Sequence, residues 1–192
     1  MASIQAAVGG HGFRHGCGGS VIETNLVLTA AHCMKLWKSR PMRVVFGSSN
    51  PSLDGPHRIE RNIANVSIHP LYNAGQSYYD VAMLVLDEKL DFNDKINKVC
   101  LPTKSTDDGS HRYGHLATLT GWGVYEFGSG TSSDLRQAKM EIFDEQYCNR
   151  SRSYFNSQGI VESDSRLVPK LFHSPVFCAG AYSLSFSPSL FH

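Results

Sequence analysis

His32 is the side chain of this sequence best placed to move a proton, and Asp80 the one best placed to orient it. His32 stands beside Cys33, where a β-like run, Leu26-Val27-Leu28-Thr29, ends in Ala30-Ala31. A lone histidine in such a place is ordinarily a packed residue, but the context shifts the balance. Cys17-Gly18-Gly19-Ser20 lies one hairpin upstream, so two cysteines sixteen residues apart flank that hairpin. A bridge between them would fix the backbone beside His32, with about 3 kcal/mol of stabilisation on the chain-entropy model. A general base needs that fixity, because proton transfer tolerates little misplacement. It also needs an acceptor that keeps its own proton on one ring nitrogen. Asp80 leads into Val81-Ala82-Met83-Leu84-Val85-Leu86, a run that reads as a fully buried strand. A carboxylate there is costly unless hydrogen-bonded; taken in isolation it reads as a strand-start or turn aspartate.

The elements that must position these residues are short strands between turn residues. Ser20-Val21-Ile22 is followed by the polar turn Glu23-Thr24-Asn25 and then by Leu26 to Thr29. Met42 to Phe46 ends at Gly47, Ile63 to Ile68 alternates, and Leu116 to Thr120 runs into Gly121-Trp122-Gly123. Ala138 to Ile142 is a further strand, and residues 144–154 have the pattern of a short helix. Many short strands at this spacing predict an all-β sandwich or barrel. Pro102 to Gly114 is polar and turn-rich and reads as a linker between two β units. The serine-rich tail, Ser183 to His192, shows no strand or helix period.

The composition is that of an ordinary globular chain: 41% hydrophobic, 18% charged, net charge +1 over 192 residues. Basic residues form no tract, which argues against nucleic acid or an anionic membrane as partner. No apolar run approaches the ~20 residues of a membrane span. The sequence opening Met1-Ala2-Ser3-Ile4-Gln5 has no secretory signal pattern. The five cysteines, Cys17, Cys33, Cys100, Cys148 and Cys178, include no Cys-x-x-Cys pair, which argues against a zinc ribbon or a thioredoxin-like motif. Asn65-Val66-Ser67 and Asn149-Arg150-Ser151 fit the N-glycosylation pattern.

Taken together, "CGGSVIETNLVLTAAHC", "YYDVAMLVL", "VCLP" and "LTGWG" resemble, in order and separation, the successive signatures of the trypsin/chymotrypsin-like serine endopeptidases. The resemblance runs from Met1 to about Gly180. It implies an all-β fold of two antiparallel six-stranded barrels, the second incomplete here, with the active site in the cleft between them. Residues 1–99 would form the first barrel, 100–115 a linker, 116–182 part of the second barrel and 183–192 a divergent tail. By resemblance His32 is the general base and Asp80 its orienting carboxylate. Cys17–Cys33 is then the disulfide beside the histidine, and Cys148–Cys178 a second one. Cys100 resembles the cysteine that in many members tethers the catalytic domain to an upstream pro-segment. The family implies a protein or peptide substrate, no cofactor, and an extracellular or secretory-pathway location.

The sequence also departs from the family. Ala7-Val8-Gly9-Gly10 looks like the family's mature N-terminus but sits too close to Cys17, so the activation segment is expected before Met1. The loop from Gly47 to Asn62 stands where some members bind calcium, yet Asp54 and Glu60 do not complete a ligand set and read as solvated carboxylates. The Gly-Asp-Ser-Gly-Gly motif that carries the nucleophile is absent; Ser183, Ser185, Ser187 and Ser189 lack its flanking glycines. An oriented histidine without a nucleophile forms no acyl-enzyme. The leading reading is therefore a truncated serine endopeptidase, inactive alone, and the alternative is a non-catalytic homologue that binds a protein partner. A metal site at His11, His15 and Cys17, or at His111 and His115, is a weaker reading, because Cys17 is better used in a disulfide.

Overall fold

The computed structural model describes residues 1–10, 12–75, 79–101, 114–125, 130–143, 178–180 and 187–188; for Phe143 and the last two segments the description is of the backbone. Six strands close into a barrel: β1 (Ala2–Ala7), β2 (Phe13–Glu23), β3 (Leu26–Thr29), β4 (Met42–Phe46), β5 (Ile59–Ile68) and β6 (Ala82–Leu86). Their order around the barrel is β1-β2-β3-β6-β5-β4, with every pairing antiparallel. Closure leaves no free strand edge, and alternate side chains fill the interior. Ile4, Val21, Val27, Val44, Phe46 and Leu84 make the centre of the core, joined by Leu90 and Ile96 from the chain after β6. Burying each such side chain contributes about 1.5–3 kcal/mol.

The run from Val81 to Leu86 departs from its expected full burial. Ala82, Leu84 and Leu86 are buried, Met83 and Val85 are intermediate, and Val81 is 36% exposed. In a closed barrel only one face of a strand meets the core, so an all-apolar strand alternates in burial all the same. β1 is the converse case. Ser3 and Gln5 lie between core residues and are buried too. Gln5 Nε2 donates to the Pro51 carbonyl at 2.9 Å and its Oε1 accepts from Arg43 Nε at 2.9 Å. These bonds offset the desolvation of the amide.

Ser3 Oγ lies 2.8 Å from His15 Nδ1, and the imidazole packs against Trp122 with ring centroids 5.0 Å apart. Desolvation at this place lowers the His15 pKa below its ordinary 6.5. Just below 6.5 the unfolded chain takes up a proton that the folded chain resists, so folding weakens as pH falls. The loss levels off once pH drops beneath the folded value. Urea-unfolding midpoints measured between about pH 5 and pH 7 should show this loss, and His15→Gln should remove that part of it.

A second sheet holds β7 (Leu116–Gly121), β8 (Arg136–Phe143), β9 (Cys178–Gly180) and β10 (Ser187–Pro188). β8 pairs with β7, β9 and β10, all antiparallel. The serine-rich tail thus supplies two residues that pair with Gln137 and Arg136, where its composition gave no strand signal. The helix expected at residues 144–154 lies outside the described residues. Besides the His15–Trp122 ring contact, Ser49 O joins the two parts: it accepts from Trp122 Nε1 at 2.7 Å and from the Leu135 N–H at 2.8 Å. No helix among the described residues is long and apolar enough to cross a membrane.

Candidate active site

Two strand ends make the site. The register Thr29↔Ala82 sets the end of β3 beside the start of β6. After Thr29 the chain passes through Ala30 into a short helix, α1 (Ala31–Leu36), too short to show a helical period in the sequence. Ala31 is fully buried, and a small side chain there lets the turn into the helix pack against the barrel. His32, the second residue of α1, is carried out over the end of the barrel. Asp80 approaches from the other side, two residues before β6.

The two residues make a double contact. His32 Nδ1 lies 2.6 Å from Asp80 Oδ2, and the His32 backbone N–H donates to Asp80 Oδ1 at 2.8 Å. One carboxylate therefore fixes both the ring and the main chain of the same residue. Because Nδ1 faces a carboxylate, the neutral ring carries its proton there and leaves Nε2 as an acceptor. The only contact recorded for Nε2 among the described residues is the Cys33 sulfur, at 3.4 Å. The His32 side chain is 59% exposed and that of Asp80 29%, so the carboxylate is less buried than the sequence implied. Nearby, desolvation first and the charge of Asp80 second raise the Tyr72 pKa, which keeps its hydroxyl protonated.

Cys17, within β2, is bonded to Cys33 of α1, with Cα atoms 6.4 Å apart. Trp37 follows the helix and packs on Gly16, where its indole ring leaves no room for a Cβ. Disulfide and indole together tie the His32 segment back to β2. Below the site lies an open hollow of about 530 Å³, lined by Gly19, Ser20, Thr29 and Asp80 from the barrel and by Thr118 and Thr120 from the second sheet.

The other expected residues fall as follows. Cys100 is exposed and unbridged. Asn65 is exposed on β5, at a break in the β5–β6 register. Cys178 lies in β9, while Cys148 and Asn149 lie outside the described residues. The metal reading loses Cys17 to the disulfide and the His15 Nδ1 to Ser3, and His11 and His111 lie outside the described residues. Glu60 lies in β5 itself, and its half-buried carboxylate is paired rather than solvated. It pairs with Arg43 Nη1 at 2.6 Å and also with Arg58, whose guanidinium reaches Asp54 at 3.5 Å. Two arginines thus occupy Glu60, while Asp54 stays fully exposed to solvent, as its place in the loop implies.

A family model described as Trypsin matches residues 1–181. The human protein "Transmembrane protease serine 5" is 39% identical over 150 residues, covering 74% of this chain and 31% of that protein. "Trypsin" of Simulium vittatum is 34% identical over 162 residues, covering 84% of this chain and 61% of that protein. The chain therefore spans less than two thirds of the length of these relatives. A solved structure described as "Structure of GrC" superposes with a TM-score of 0.66 at 24% identity, over 81% of this chain and 64% of that one, and supports the fold. With the family match running from the first barrel strand to beyond β9, the chain belongs to the trypsin family of serine proteases.

Proposed function

We propose that this chain carries the general-base half of a serine endopeptidase site. The observation that carries the reading is the pair of hydrogen bonds that Asp80 accepts from the ring and the backbone of His32. His32 Nε2 would take the proton of a serine hydroxyl as the oxygen attacks a peptide carbonyl, and later return it to the leaving amine. Asp80 would hold the ring in the tautomer that leaves Nε2 free and stabilise the imidazolium that forms. The hollow beside Asp80 is the space from which a nucleophile-bearing segment would approach.

The residues in hand lack the Gly-Asp-Ser-Gly-Gly motif, and with it both the nucleophile and the backbone donors of an oxyanion hole. Incubating the purified 192-residue chain with a fluorophosphonate probe should give no labelled serine, and peptide amides should not be cleaved. A labelled serine, or turnover above the buffer rate, would refute this. If longer products of the same coding sequence also lack the motif while binding one protein stoichiometrically, the chain is a binding homologue instead.

The division into a first barrel at 1–99, a linker at 100–115 and part of a second barrel at 116–182 belongs to the same proposal. A secretory-pathway location is supported by the Cys17–Cys33 disulfide and the family. N-glycans at Asn65 and Asn149, a Cys148–Cys178 disulfide and a tether through the exposed Cys100 complete it.

A further inference from the structure

The residue before Asp80 adopts a backbone conformation that its side chain disfavours. Tyr79 has φ +55°, and no other non-glycine residue among those described has a positive φ. A bulky side chain in the left-handed region needs something to hold it there. Two contacts do so. The Tyr79 ring lies parallel to the His69 imidazole, with centroids 4.7 Å apart and planes 7° from parallel. The Val81 N–H donates to the Tyr79 carbonyl at 2.7 Å, closing a one-residue turn centred on Asp80. His69 follows directly on β5, and its backbone N–H donates to the Val81 carbonyl at 3.1 Å. Its Nδ1 accepts the Leu71 N–H at 3.2 Å, which fixes the ring plane.

We propose that the His69–Tyr79 stack is a positioning device for Asp80. It clamps the strained Tyr79 backbone onto the end of β5 and so aims both carboxylate oxygens at His32. One carboxylate accepts both bonds from His32, so a small rotation of the backbone at Tyr79 weakens them together. The Tyr79 side chain touches neither His32 nor a substrate in this role; it acts through Asp80. Neither His69 nor Tyr79 stood out in the sequence, because their meeting depends on how the chain between them folds back. The proposal rests on the His32–Asp80 pairing of the preceding section, and its test separates the two.

The readout is the Nδ1 proton of His32 in the 192-residue chain with ¹⁵N-labelled histidine, observed at low field by NMR, with its rate of exchange with water. Asp80→Asn identifies the signal by removing it. His69→Ala should speed exchange roughly three- to tenfold, the scale expected from the loss of one aromatic pair. Tyr79→Ala, which leaves β5 untouched, should do the same, with urea midpoints showing that both variants remain folded. His69→Phe keeps a ring to stack but removes the Leu71 acceptor, and should restore the slow exchange. The proposal is overturned if His69→Ala exchanges at the wild-type rate. It is overturned equally if His69→Phe behaves as His69→Ala, since the Leu71 bond and not the stack would then be responsible. A wild-type chain with no such signal would overturn the His32–Asp80 pairing itself.

Discussion

Asp80→Asn, placed in a product of this sequence that extends through the serine motif, should lower kcat by about four orders of magnitude. The amide is nearly isosteric, so the barrel, the disulfide and the hollow all stay in place. What changes is the proton inventory. Asp80 now accepts from two donors of one residue, the ring Nδ1–H and the backbone N–H of His32. An amide turned with its oxygen toward the backbone offers its NH₂ group to Nδ1, and the ring must then carry its proton on Nε2. That is the nitrogen the proposed reaction needs as a base. The amide also has no charge to stabilise an imidazolium. Measured kcat should fall with KM little altered, because neither oxygen of Asp80 meets the substrate in this scheme. A loss of less than about tenfold would show that Asp80 does not hold His32 in the tautomer the scheme requires.

The second large effect is on stability. Gly47→Ala should cost about 3 kcal/mol or more, at the upper end for a single substitution. Gly47 has φ +70°, where a residue with a Cβ is strained, and its Cβ would fall 1.9 Å from the His57 carbonyl oxygen. A backbone carbonyl cannot swing aside as a side chain can, so the β4–β5 connection itself must move. That connection holds more than its own turn. Pro51 O takes the Gln5 amide, and Ser49 O takes both Trp122 and Leu135. Moving it unsettles the barrel strand β1 and the fastening of the second sheet together. Urea unfolding of the oxidised chain reads the cost. A midpoint unchanged from the parent would mean that the loop has room to relax.

The strands that read most clearly in the sequence are those with a period-two pattern between turn residues. Leu26–Thr29 and Met42–Phe46 are legible end to end because each is a short, mostly apolar run bounded by residues of another kind; the first alternates in burial, and the second buries Val44, Val45 and Phe46 in succession before Gly47. β5 was legible only from Ile63. Its first half, Ile59-Glu60-Arg61-Asn62, is mostly polar and is held by Arg43 and Arg58 ion pairs that no local pattern announces. α1 has six residues, too few for a helical period to show, and its Ala30 N-cap makes no side-chain cap hydrogen bond. At the site, the residue types of His32 and Asp80 suggested an oriented base. The double hydrogen bond, the Trp37–Gly16 contact and the His69–Tyr79 stack were not legible, because each depends on where distant backbone comes to rest.

The β3–β6 register has a kinetic consequence. His32 and Asp80 lie 48 positions apart in the chain and meet only because Thr29 pairs with Ala82. Such a contact is non-local, and contacts of that kind set the pace of folding in all-β proteins. Nascent or partly collapsed chains can hold the β2–β3 hairpin and its disulfide while His32 still lacks its acceptor. A slip of one residue in that register would send every side chain of the strand to the opposite face. The His32–Asp80 pair therefore comes into being with the ring of strands, as an all-or-none product of closure.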